Sequence, residues 1–267
     1  MIPKIIHYCW FGGKPLPESA EKCIESWKKY CPDYEIIQWN ETNYDVTKNK
    51  YMYEAYQNKK YGFVPDYARL DIVYTNGGIY LDTDVELIKP LDDLLKLDAF
   101  CGVENNSKYV ALGLGFGGSI GNKTLRCMLD AYNTMSFIKD GEPDLTPAPK
   151  INTKALYSLG YKYKNGVFNC GELKVFPSEY FCPQDFETGK LTITPNTYSI
   201  HHYDSSWYSP IETYALEMKR KIPKILPKRF SGHMAHFIAQ CKYNGIPYAF
   251  KRTIRKMVAG TGLRGPR

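Results

Sequence analysis

The chain contains no run of apolar residues approaching the ~18–20 that a membrane-spanning helix needs. Its opening Met1-Ile2-Pro3-Lys4 lacks the charged-then-apolar order of a secretory signal, and together these absences favour a cytosolic protein. The eight cysteines are scattered, with no C-x-x-C pair and no histidine at zinc-finger spacing, so neither a structural zinc nor a disulfide framework is expected. No internal repeat is present. Acidic residues are almost missing from one region: residues 214–267 hold thirteen Lys and Arg against Glu217 alone, while the rest carries 22 basic and 27 acidic residues. The net charge of +7 is therefore carried by the tail, and such a block marks an anionic partner, a membrane surface or a nucleic acid.

What is present reads as α/β. With 43% apolar residues over 267 positions, one main domain with an appendage can bury a sizeable core. Lys4–Trp10 is a short apolar and aromatic run closed by Gly12-Gly13, a buried strand and turn. Pro17 opens a helix that Cys31-Pro32 ends, Tyr34–Trp39 forms a second strand, and residues 49–60 form a second helix. Alternation of this kind predicts a mostly parallel central sheet. Pro65 starts a further helix stopped by Asn76-Gly77, with Asp66 and Arg69 sharing one face. Gly78–Leu81 is a short strand running into Asp82-Thr83-Asp84. Further on, a strand is expected near residues 99–103, a helix through 125–132 and a proline-rich loop at 143–149. Residues 166–207 read as short strands and loops closing over the site, and an amphipathic helix fits 250–258.

On an extended segment, side chains two apart point the same way, so Asp82 and Asp84 present both carboxylates to one point. Hard oxygen ligands favour Mg²⁺ or Mn²⁺, held together with substrate phosphates at the C-terminal end of a strand. Gly113-x-Gly115-x-x-Gly118 matches a dinucleotide fingerprint in letters only, since it does not open a first strand-turn-helix unit; it is read instead as backbone approaching a donor or acceptor sugar.

The run Pro65-Asp66-Tyr67-Ala68-Arg69-Leu70 through Gly77-Gly78-Ile79-Tyr80-Leu81-Asp82-Thr83-Asp84 resembles the sugar-binding region of glycosyltransferase family 32. The likeness extends to Ile5–Gly13 and to His201-His202-Tyr203-Asp204-Ser205-Ser206-Trp207. It implies a GT-A type nucleotide-binding sandwich over residues 1–210 and transfer of a hexose with retention of configuration, while the composition of residues 211–267 marks them as a basic, helical appendage. It also implies the site residues. Trp10 and Tyr8 would meet the nucleotide, Asp66 and Arg69 the donor sugar and phosphate, and Tyr80, Leu81 and Asp82 the sugar or ribose. Asp84 would hold the metal with Asp82 and with His202 or His201, the two histidines being equally placed, and Ser205 and Trp207 would sit on a loop over the diphosphate. The bacterial relatives make capsular polysaccharide or lipopolysaccharide, which favours a UDP-hexose over GDP-mannose and a saccharide or lipid-linked acceptor.

Two rivals are weighed against this. A retaining glycoside hydrolase needs carboxylates roughly 5 Å apart across the scissile bond, whereas Asp82 and Asp84 converge on one point. A nucleic-acid-binding protein led by the tail would need a recognised motif, which the tail lacks; apolar residues mixed with cations suit a membrane surface better, at the cytoplasmic leaflet.

Overall fold

In the computed structural model, residues 1–105, 107–186, 188–203, 210–222 and 226–260 are described. The elements run β1 (Ile5–Cys9), α1 (Glu18–Tyr30), β2 (Glu35–Trp39), α2 (Lys50–Gln57), α3 (Val64–Asn76), β3 (Gly78–Tyr80), β4 (Val85–Leu87), β5 (Ala99–Val103), β6 (Val110–Gly118) and α4 (Lys123–Asp130). A two-residue ladder of β7 (Ile138–Lys139) with β8 (Glu142–Pro143) precedes α5 (Ala148–Leu156). Then follow β9 (Phe168–Cys170), β10 (Leu173–Phe176), β11 (Ser199–His201), α6 (Pro210–Lys221), α7 (Lys228–Asn244) and α8 (Ile246–Gly260).

Seven strands form one sheet in the order β2-β1-β3-β6-β5-β10-β9. β2, β1, β3, β5 and β10 run one way, while β6 and β9 run against them. The sheet is thus mostly parallel, as expected, with one reversed strand at its centre. Alternation of side chains supplies its two faces. Ile6 and Tyr8 of β1, Ile79 of β3 and Phe100 of β5 pack with Trp27 and Ile24 of α1. Cys9, Tyr80, Ala99 and Cys101 pack on the other side with residues of α2, α3, α4 and α5. Trp27 is fully buried and its indole N–H donates to the Val85 carbonyl at 2.7 Å, which pins α1 to β4. Side-chain caps from Asn49 and Asn122 start α2 and α4, each stabilising by about 1 kcal/mol.

The structure adds detail to four sequence readings. The glycine-rich stretch is a buried strand, β6, because glycine lets its backbone pass close to Asp82 and to the Gly78 carbonyl. The proline-rich segment is a loop over 144–147 and then starts α5, where Pro147 and Pro149 fit because a missing N–H costs nothing at a helix start. Within 166–207, β9 and β10 extend the central sheet beside β5 rather than covering a site. Among the described residues the tail, expected to be helical, forms three helices, and α8 spans the stretch 250–258.

The chain divides into two compact units, residues 1–185 with 190–204, and residues 186–189 with 205–267. In the second, α6, α7 and α8 pack through Tyr214 against Tyr243 and Phe237 against Phe250, with ring centroids 6.0 and 5.0 Å apart. Among the described residues no helix is long and apolar enough to cross a membrane.

Candidate active site

α3 ends at Asn76, and Gly77 and Gly78 reverse the chain with φ of 67° and 98°. A Cβ at Gly78 would stand 2.9 Å from both the Ile5 carbonyl and His7 Nε2, so the corner requires glycine. β3 follows, fully buried, and Leu81 extends it by donating its N–H to the His7 carbonyl at 3.0 Å. Asp82, Thr83 and Asp84 then lie in a turn closed by the Val85 N–H on the Asp82 carbonyl, not on the extended segment the spacing suggests. The carboxylates converge nonetheless. Asp82, Asp84 and His201 bring one ligand atom each to within 4.8 Å of one another.

His201 arrives on β11, which pairs antiparallel with β4 and sets His201 opposite Val85. Its Nε2 is 3.2 Å from Asp84 Oδ1, and its ring meets Tyr203 edge-on at 4.2 Å. Tyr203 in turn contacts Cys182 Sγ at 2.8 Å through its hydroxyl. His202, the other candidate ligand, lies elsewhere: its Nε2 is 2.8 Å from Glu86 Oε2, and it is not one of the three residues that converge. Neighbouring side chains at a strand's end point opposite ways, so one histidine of the pair can face the aspartates.

Asp66 and Arg69 form no surface pair; both are about 5% exposed, on the first two turns of α3. Arg69 Nη2 donates to Asp66 Oδ1 at 2.9 Å, Nη1 stands 3.4 Å from Asp82 Oδ2, and Nε donates to the Pro65 carbonyl at 2.9 Å. The guanidinium also lies 5.3 Å from the Tyr80 ring centroid. Every face of the fork is held, which ties α3 to the D-x-D turn. Burial pushes the Asp66 carboxyl up to about 7, against the pull of Arg69. Burial, with the charge of Asp84, likewise raises Asp82. Burial disfavours a charged His201, but Asp84 and Asp82 outweigh it and hold its proton above the usual imidazole range. The cluster calls for positive charge, supplied on one side by Arg69 and on the other by a proton on His201.

Two carboxylates and an imidazole fit a divalent cation of the Mn²⁺ or Mg²⁺ kind, and the electrostatic demand has the sign such an ion meets. His201 Nδ1 is buried with no hydrogen-bond partner among the described residues, so its ring is placed by Nε2 on Asp84 and by packing on Tyr203.

The remaining expected residues are distributed unevenly. Trp10 follows β1, half-buried, its ring set by Nε1 donating to the Lys14 carbonyl at 2.7 Å. Tyr8 is buried against Trp27 and donates its hydroxyl to Gln38 Oε1 at 3.0 Å. The Tyr80 and Leu81 side chains are core residues, 1% and 2% exposed. Ser205 and Trp207 lie outside the described residues.

Sequence reasoning missed Glu104 and the contact that Gly113 makes with the aspartate motif. Glu104 follows β5 at the same sheet edge; burial raises its carboxyl, and its charge contributes to holding the proton on His201. A single glutamate after a strand carries no signal of this. Gly113 accepts the Asp82 N–H at 3.3 Å, and a Cβ there would collide with the Asp82 carboxylate and crowd Arg69 Nη1 at 3.0 Å. Its backbone thus approaches the aspartate of the motif.

With acids, arginine and imidazole gathered beside a mostly parallel sheet, the first unit has an α/β build and an acidic cluster that could hold a cation. Residues 17–101, about a third of the chain, match the family described as "Glycosyltransferase sugar-binding region containing DXD motif". The match includes α1 through the aspartate motif, while Trp10 and His201 fall outside it. Inositol phosphoceramide mannosyltransferase 3 of Schizosaccharomyces pombe is 33% identical over 125 residues, covering 43% of this chain and 35% of its own. Mannosyl phosphorylinositol ceramide synthase SUR1 of Saccharomyces cerevisiae is 33% identical over 108 residues, covering 38% and 27% respectively. The chain thus spans about a third of the length of these relatives. Among solved structures, PaToxG glycosyltransferase is similar with a TM-score of 0.46 and 20% identity, over 59% of this chain and 69% of that one.

Proposed function

We propose that the protein is a metal-assisted glycosyltransferase that moves a hexose from a nucleotide-diphosphate sugar to a saccharide acceptor. The observation that carries this reading is the convergence of Asp82, Asp84 and His201 beside the buried Asp66–Arg69 pair. Asp84 and His201 would hold the ion with Asp82 at its side. When bound, a divalent cation supplies Lewis-acid stabilisation of the charge that develops on the departing diphosphate. Arg69 adds a fixed positive charge on the same side, and its contacts to Asp66, Pro65 and Asp82 hold it without reorganisation at the moment of reaction. Asp82, between Arg69 and Asp84, is placed to accept a hydroxyl of the sugar or ribose.

The names of the relatives favour mannose as the transferred hexose, while the likeness to polysaccharide enzymes favours a UDP-linked donor and a surface polysaccharide or lipid-linked acceptor. Calorimetric titration with UDP and with GDP, each with and without Mn²⁺, tests the reading on wild type and Asp84→Ala. Binding that needs the metal, prefers one base and disappears in the variant supports the site and names the nucleotide. If neither nucleotide binds, the transferase reading falls.

A further inference from the structure

The second unit carries a surface that the site chemistry does not use. Of the large apolar side chains left exposed among the described residues, Tyr243, Ile246, Tyr248 and Phe250 fall within eight positions, at 45, 61, 48 and 55% exposure. They stand where α7 turns into α8. The corner is built, not frayed. The Gly245 N–H donates to the Cys241 carbonyl and the Ala249 N–H to the Gly245 carbonyl, both at 3.1 Å. Ala235 and Ala239 of α7 and Ala249 of α8 are buried, and the Phe237 ring meets the edge of Phe250. With the helices seated in this way, the outward aromatic and aliphatic bodies are presented in a fixed arrangement.

The same corner is cationic. Lys242 Nζ stands 3.7 Å from the Tyr214 ring centroid, and Lys251 and Arg255, one turn apart on α8, are exposed. The span from 228 to 260 contains no Asp or Glu. A helix pair that merely faces water intersperses both signs and keeps isoleucine and phenylalanine inward. Here one sign of charge stands beside exposed Ile246 and Phe250.

We propose that the α7–α8 corner docks on an anionic membrane surface. Tyrosine rings place an apolar body in the headgroup boundary and a hydroxyl toward water, Ile246 and Phe250 enter the acyl margin, and Lys242, Lys251 and Arg255 meet lipid phosphates. A nucleic acid would satisfy the cations but leave Ile246 in water. The surface stands without the proposed activity; it rests on that reading only for its consequence, that the acceptor is carried by a lipid.

The test is co-sedimentation of the full chain with vesicles of phosphatidylcholine alone or with added phosphatidylglycerol. Partition should be about tenfold or more greater on the anionic vesicles and fall as salt is raised. Ile246→Ser with Phe250→Ser, and separately Lys251→Glu with Arg255→Glu, should each lower it about tenfold or more while circular dichroism stays that of wild type. Because all four side chains are half or fully exposed, at least one pair is expected to fold. Equal partition on both vesicles, partition unchanged in a folded variant, or retention on an RNA homopolymer without vesicle binding would overturn the proposal. Vesicle binding with no nucleotide binding would sink the transferase reading and leave this one standing; the reverse result would do the opposite.

Discussion

His7 makes the fold acid-sensitive in a way that can be worked out from its contacts. It is fully buried on β1; its Nε2 is 2.8 Å from the Gly77 carbonyl and its Nδ1 is 3.1 Å from Trp39 Nε1. An indole nitrogen can only donate, so Nδ1 must accept, and the ring is neutral with its proton on Nε2. A second proton would set two donors face to face. Burial accordingly lowers the imidazole from 6.5 to about 4, against a raising effect of the Gly77 bond. The unfolded chain then binds the proton first. Stability is complete above pH 6.5 and is lost as pH falls toward about 4, by about 3 kcal/mol in total. Urea unfolding across that window, on wild type and on His7→Gln, isolates the contribution, because glutamine retains an amide donor for Gly77 and does not titrate. The difference between the two stabilities should shrink by about 3 kcal/mol as the solution is acidified. Two curves that stay parallel would refute the assignment of His7 as a neutral clamp on the corner that leads into the aspartate motif.

Other outcomes follow from the site. Arg69→Met leaves Asp66 and Asp82 buried without their cation and should cost about 3–5 kcal/mol by chemical denaturation; because the Asp66 carboxyl already sits near 7, the loss should grow as pH rises through that value. His201→Ala and Asp84→Ala should each weaken Mn²⁺ binding by about tenfold or more in calorimetry, whereas His202→Ala, whose partner is Glu86, should leave it within about twofold. The raised His201 holds a proton that a cation must displace, so Mn²⁺ affinity should fall as pH falls, with proton release visible as a heat that changes with the buffer's ionisation enthalpy. Gly113→Ala puts a methyl group into the Asp82 carboxylate; it should cost about 1–3 kcal/mol of stability and abolish nucleotide binding with metal, and unchanged binding would show that the close approach has no role.

Much of the first unit is legible along the chain because its signals are local. Pro17, Cys31-Pro32, Pro65 and Asn76-Gly77 punctuate helices by what a pyrrolidine ring or a missing Cβ permits, and the alternation of apolar strand and helix implies a parallel sheet. Asp82, Asp84, Asp66 and Arg69 were named from a compact run in which the helix, the glycine corner and the acids follow one another. What escaped is what depends on partners far away in sequence. β9 and β10 join the sheet because β5 offers an edge, which no feature of residues 166–176 announces. That His201, and not His202, stands beside Asp84 is set by the register of β11 on β4, since a shift of one residue exchanges the faces of a strand. Glu104 nears His201, and Gly113 nears Asp82, because β6 and β5 follow β3 in the sheet order. Sequence by itself determined the period, the punctuation and the chemical inventory, each decided by a residue and its neighbours; only tertiary structure decided which of those groups share one edge, because strand order and register are set by burying two faces of a sheet at once.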